Sequence, residues 1–343
     1  MDNKTRKLFT RLCDDMARTY EVGSVAKTFA ATPSVEQTLM DKIVLSSDFL
    51  QRINVVGVDE LKGEKILGSV SGLLGKRTDT SAGDRQTAEG ANLDANGYEC
   101  VKTEYDVHLS YALLDAWAKF PDFNDRFLSY VRRAIALSRI KVGFHGTEAA
   151  AVTNSGTNPN GEDVNLGWFQ HLRAYNASAQ LLAEGGTTDQ IRLGGAGDYA
   201  NLDAMVFDVL QMVGEEHRDG GDLVAMMGRE LLSFDKTQLY VAQGEKPTEK
   251  ERIETNAVTR TYGGLPAFTV PHMPARGLLI TSWDNLSLYY QNGKVRQKIE
   301  DNAKRDRVEH YNTLNEAYVV EDLEKAAAIE FANVKIWDGS AFS

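Results

Sequence analysis

The sequence predicts an α+β fold with mostly antiparallel strands. Three patterns point there: helical spacing of apolar residues in the first half, strict two-residue alternation at 101–111, and short strand-like segments after residue 220. Residues 1–20 carry Leu8, Leu12, Met16 and Tyr20 at steps of four, with Phe9 and Cys13 beside them and a basic opposite side. That is an amphipathic helix. In "FAATPSVEQTLMDKIVLSSDFL", Thr32 is placed to cap, Pro33 suits the first helical position, and Val35, Leu39 and Ile43 form the stripe. The segment "INVVGV" is short and extended.

A long hairpin follows. "KILGSVSGLL" reads as a glycine-broken strand with Ile66, Val70 and Leu74 on one side. "VKTEYDVHLSY" puts Val101, Thr103, Tyr105, Val107, Leu109 and Tyr111 on one face and Lys102, Glu104, Asp106, His108 and Ser110 on the other. Between them, residues 75–97 hold four glycines, seven charged residues and one large apolar side chain, Leu93. Such a stretch has no core of its own, and long loops of this kind tend to be functional or disordered. A two-stranded hairpin is marginal alone in water, so this one needs something to lie on.

The strongest helix runs over 122–142. Pro121 and Asp122 start it, Phe123, Phe127, Leu128, Val131 and Ile135 supply the apolar side, and Gly143 is placed to end it. Arg126, Arg132, Arg133 and Arg139 mark its expected wet face. Residues 146–200 are rich in glycine and asparagine around a helical patch, "LGWFQHLRAY", and "YANLDAMVFDVLQMVGEE" is a further amphipathic helix. "DLVAMMG", "LPAFTVP", "GLLITSW" and "EAYVVED" then read as strands, as does "AAAIEFANVKIW", whose Ala run is also compatible with helix. "SLYYQNGKVRQKI" contains Asn-Gly, a strong signal for a two-residue hairpin turn.

The chain has 343 residues, 42% hydrophobic and 25% charged, as soluble globular proteins do. Its formal net charge of −11 argues against a surface that grips nucleic acid. No run approaches 18 apolar residues, and the amino-terminus lacks the apolar centre of a secretion signal. The expectation is therefore no membrane partner, synthesis in a cytoplasm, and reduced Cys13 and Cys100.

A search for chemistry comes back empty. The histidines at 108, 145, 171, 217, 272 and 310 form no local metal pair. There is no Cys-x-x-Cys, and "GSVSG" places Val70 where a hydrolase nucleophile would stand. "LGGAGDY" lacks the Lys of a phosphate cradle. No catalytic residue, metal site or cofactor is expected.

Long irregular strings carry a resemblance instead: "TPSVEQTLMDKIVLSSDFLQRINVVGVDELKGEKI", "TNPNGEDVNLGWFQHLR", "GAGDYANLDAMV", "DNLSLYY" and "IEDNAKRDRVEHYNTLNEAYVVEDL". In order and over nearly the whole chain, this sequence resembles the major capsid proteins of P-two-type contractile-tailed temperate phages (peduoviruses). The resemblance implies the Hong Kong 97-type capsid fold: an N-terminal arm, an extended β-hairpin E-loop, a peripheral domain with a spine helix, and an axial domain. It implies a non-enzymatic shell protein, forming pentamers and hexamers of an icosahedral head around double-stranded DNA. It places the N-arm at 30–59, the E-loop at 60–110, the peripheral domain at 111–199 and 316–343 with its spine helix at 122–142, and the axial domain at 200–315. Lys76, Arg77, Asp79, Asp84, Arg85 and Leu93 would then form an E-loop tip packed on a neighbouring copy. Residues 1–29 would be an assembly segment removed by a phage maturation protease near Phe29 and Ala30. Scaffolding and portal proteins are implied partners. Nothing marks Lys76 or Lys102 for the Lys–Asn crosslinking of some relatives of the wider fold. A phage tail or baseplate protein, or a hydrolase using the 146–200 loops, is the alternative reading.

Overall fold

The computed structural model describes residues 1–63, 97–175, 179–243 and 261–343. Its helices are α1 (Asn3–Thr19), α2 (Pro33–Val44), α3 (Tyr111–Trp117), α4 (Phe123–His145), α5 (Trp168–Ala174), α6 (Leu202–Gln211), α7 (Glu215–Arg218) and α8 (Arg229–Gln243).

A seven-stranded sheet is organised by one long central strand, Arg307–Val320. Glu316 pairs with Val101 on one edge and with Tyr290 on the other, and Thr313 pairs likewise with Glu104 and Arg296. So Leu286–Gln291 and Arg296–Asn302 follow one another along a single edge. Outboard of them lie Asn54–Val58, parallel to Leu286–Gln291, and Phe29–Ala30, antiparallel to Arg296–Asn302. The Asn-Gly pair therefore makes no hairpin. Gly293, at φ 70°, turns the chain between two in-line strands, and its N–H donates to the buried carboxylate of Glu36 at 2.7 Å. The tight reversal lies later, at Ala303–Arg305, where Asp306 takes φ 50°.

On the opposite edge the alternating run keeps one register against the central strand: Glu104 opposes Thr313 and Val107 opposes His310. The ladder is interrupted at Tyr105–Asp106, where the Asp106 carboxylate takes the Asn312 N–H at 3.3 Å. The strand ends one residue earlier than its alternation suggests, because the Ser110 hydroxyl accepts from Leu113 N and caps α3, which contains Tyr111.

The second sheet has the order Thr261–Tyr262, Leu265–Thr269, Val224–Met227, Leu278–Thr281, Ala327–Ile329, Leu181–Leu182. Its two central strands are buried on both faces, as covered sheets require. Val224, Met226 and Leu279 face the main core under α1, α2 and α4, whereas Ala225, Met227 and Ile280 face α6 and α8. The boundary expected at 315/316 is not a boundary of the sheets. Residues 286–315, expected with the axial part, belong to the seven-stranded sheet, while Ala327–Ile329 and Val334–Ile336 pair with strands at 181–193 and 278–281.

Helix α4 runs past Gly143 to His145. Gly143 is required by packing rather than by termination: a Cβ there would stand 2.3 Å from the Trp168 ring. Helices α3 and α8 have no counterpart among the sequence-derived elements.

Candidate assembly surface

At the base of the expected hairpin, Lys62–Gly63 pairs with Tyr98–Glu99. Cys100 N donates to Leu61 O at 2.8 Å, and the exposed Lys62–Glu99 ion pair closes at 2.8 Å. An exposed pair contributes at most about 1 kcal/mol, so the base is held by packing. Cys100, Ala317 and Val319 form a small buried cluster with Val58, Tyr98 and Tyr289 packed on it, the two tyrosine rings edge to face at 5.0 Å. Burial, and then the Glu316 charge, push the Cys100 thiol up to about 11, so it stays protonated and unreactive. Lys76, Arg77, Asp79, Asp84, Arg85 and Leu93 lie outside the described residues.

Beside the hairpin base stands an ordered, exposed loop at 147–157. Its backbone is tied down by Thr147 N and Glu148 N to Glu162 O, and by Ala150 N to Asp163 O. The buried Asp163 carboxylate accepts from Asn154 N at 2.6 Å and Asn158 Nδ2 at 2.9 Å. This frame presents Val152 at 87% exposure, with Leu166 also exposed. A trench of about 1090 Å³ separates loop and hairpin base, lined by residues that include Lys62, Tyr98, Ala149, Leu166 and Tyr318.

The four arginines of α4 divide. Arg126 and Arg133 are exposed, and Arg126 Nε donates to Asp122 at 2.8 Å. Arg132 is half-buried. Arg139, expected on the wet face, is fully buried and pairs with the equally buried Glu316 at 3.0 Å. Tyr105 donates its hydroxyl to the same carboxylate, and Asn165 Nδ2 donates to Glu316 O at 2.8 Å. Burial is the largest influence and works against the Arg139 charge, but Glu316, Tyr105 and Tyr318 together outweigh it and hold the guanidinium protonated. Burial and then Glu316 push Tyr105 well above the ordinary phenol range. The signal for Arg139 was present in the sequence: it continues the four-step series Phe123, Phe127, Val131, Ile135. Tyr105 lies on the apolar face of the alternating run, whereas Glu316, which completes the network, carries no such local signal.

Phe29 and Ala30 form an edge strand on Gln297 and Arg296, with Phe29 buried against Tyr20 at 4.9 Å. Phe9, Leu12, Met16, Tyr20 and Val25 enter the main core. In the full chain α1 thus covers apolar surface of α3 and α4. Among the described residues, no group of three His, Cys, Asp or Glu could hold a metal, and no helix is long and apolar enough to cross a membrane.

Comparison with known proteins gives these features a context. The family model described as "Phage major capsid protein, P2 family" matches residues 8–332. The capsid protein of Escherichia phage P2 is 39% identical over 328 residues, covering 93% of this chain and 91% of that protein. The major capsid protein of Serratia phage KSP20 is 31% identical, covering 100% of this chain and 98% of its own. A chain of the satellite phage P4 procapsid that includes the size determination (Sid) protein superposes with a TM-score of 0.78 at 36% identity, over 99% of this chain and 100% of that one. The fold is the α+β, Hong Kong 97-type phage capsid fold. The protein is a structural component of a phage shell rather than an enzyme, and it belongs to the P2 family of phage major capsid proteins.

Proposed function

We propose that the hairpin at 60–110 is the E-loop through which one subunit grips the next, and that its polar tip is completed by a neighbouring copy. The observation that carries this reading is the anchored base. Lys62–Gly63 and Tyr98–Glu99 are paired and packed on the body, and the sequence between them has one large apolar residue. In this reading α4 is the spine of the peripheral domain, whose sheet is the seven-stranded one, and residues 30–59 are the N-arm. The axial domain is the six-stranded sheet with α6 and α8, which meets its equivalents around the axes of pentamers and hexamers. Residues 286–315 go with the spine sheet because that is where their strands pair.

The proposal extends to partners: a scaffolding protein, a portal protein, and a maturation protease that removes residues 1–29 near Phe29 and Ala30. The shell encloses double-stranded DNA without a specific grip on it, consistent with the net charge of −11. Assembly takes place in the host cytoplasm. Limited trypsin digestion of the free subunit tests the tip contact. Cleavage at Lys76, Arg77 or Arg85 is expected in free subunits and protection in assembled shells, since exposed polar loop tips are preferred cleavage sites. Equal cleavage in both states would leave the segment a simple insertion.

A further inference from the structure

A cavity of about 140 Å³ lies where α1, α2 and α4 meet the seven-stranded sheet. Its polar lining is Thr19 from α1 and Tyr20 just past it, Thr38 and the exposed Lys42 from α2, Arg132 from α4, and Gln297, His310 and Asn312 from the sheet. His310 is 4% exposed and Gln297 2%. Both ring nitrogens of His310, Oε1 of Gln297 and Nε of Arg132 are buried without a hydrogen-bond partner in the protein. Buried polar groups in native proteins are nearly always partnered, and each one left unmade costs roughly 1–3 kcal/mol. Three such side chains around one cavity call for an occupant that is itself polar.

We propose that this cavity is a binding site for a small oxyanion, with Arg132 and His310 as its principal ligands. The sign of the charge follows from the walls. Lys42 and Arg132 are the charged groups among the described lining residues, and none of those residues is acidic. Asp125 acts on Arg132 from the same helix, outside the lining. Arginine's guanidinium fork matches the geometry of phosphate and carboxylate oxygens, and charge-assisted bonds of this kind are the strong ones. The Gln297 amide, turned to present Nε2 in place of the orphaned Oε1, and Asn312 Nδ2, which also donates to Tyr105 O at 3.2 Å, supply neutral donors; the Phe127 ring packs on His310 with centroids 6.2 Å apart. Water alone, at about 30 Å³ per molecule, would fit but would bring no charge to the partnerless Arg132 Nε.

Burial in this lining also sets the state of His310. Burial pushes its pKa down to about 4, so the ring is neutral near pH 7. An anion in contact favours the imidazolium, so binding and protonation of His310 are coupled. Because α1 forms one wall, a bound ion also holds the amino-terminal helix against the body.

The test uses the full chain as free subunit. Its thermal midpoint is followed against phosphate, with sodium chloride at matched ionic strength as reference. Phosphate also stabilises proteins by exclusion from their surface, so Arg132→Met and His310→Leu provide the baseline. The wild type is expected to show a saturable rise that both variants lack, as a ligand bound only by the native state requires. The His310 ring resonances should shift with phosphate, and their protonation midpoint should move up. Acetate in place of phosphate separates a carboxylate from a free tetrahedral ion as the natural ligand; a saturable response to either supports the site. Identical responses in wild type and both variants, with unmoved His310 resonances, would show that the cavity holds water only.

Discussion

Glu316 and Arg139 show how one buried pair ties four parts of the chain together. The carboxylate on the central strand takes Arg139 of α4 and the Tyr105 hydroxyl, while Arg139 Nη2 reaches Met40 Sδ of α2 at 3.5 Å. Removing one partner strands the other charge in the interior, which costs about 3–5 kcal/mol. Arg139→Met should therefore lower subunit stability by that amount in urea unfolding, and Arg139→Met with Glu316→Leu should recover most of it. Gly143→Ala should destabilise by about 1–3 kcal/mol, because the added methyl meets the Trp168 ring and the core there has no slack. His310 gives a pH signature. Its pKa is lowered to about 4 in the fold against roughly 6.5 unfolded. Between those values the unfolded chain takes up a proton that the folded chain refuses. The stability present above pH 6.5 is thus lost as pH falls toward 4, by up to roughly 3 kcal/mol. Urea midpoints at neutral and acid pH, measured without oxyanions, should show this loss in the wild type, and His310→Gln should show much less of it.

At the scale of elements, α1 is the decisive case. Its stripe is legible in the sequence, but not the fact that Leu12 and Met16 are as buried as the central strand. Leu12→Ala should cost about 2–5 kcal/mol in the full chain, the range for a buried leucine. In a chain beginning at Ala30 position 12 is absent, and that free subunit should unfold at a lower midpoint than the full one. Equal midpoints would mean that α1 merely rests on the surface. Local pattern reached α4, α5, α6 and the 101–110 strand because each has one wet and one dry face. It misplaced the Asn292-Gly293 turn because that signal reports φ above zero, which an in-line jog needs as much as a hairpin does. It passed over α8, where Leu231, Leu232 and Phe234 are buried by α6 and the second sheet. Glu36 shows the same limit: a carboxylate on the dry side of α2 makes sense only once the Gly293 amide, distant in sequence, is beside it.

At the scale of the molecule, fold and family were readable because long irregular strings, not short motifs, carry the resemblance. The place of 286–315 in the seven-stranded sheet was not, since strand partners at separations above 200 residues leave no local trace. The net charge of −11 predicts that the free subunit shows no duplex-DNA binding in a filter assay at physiological salt. Even non-specific binders reach about 10⁻⁴ to 10⁻⁶ M there, so submicromolar binding would contradict that expectation. The central claim is that the hairpin tip is an assembly contact on an independently folded subunit. Deleting 78–94 and closing the hairpin with Asn-Gly tests it, because shortening a surface loop changes closure entropy only slightly. Electron micrographs of both chains, each produced with the phage scaffolding protein, are the direct measurement. Closed shells from the full chain and only soluble, folded subunits or capsomers from the deletion are the predicted result; normal shells from the deletion would contradict it.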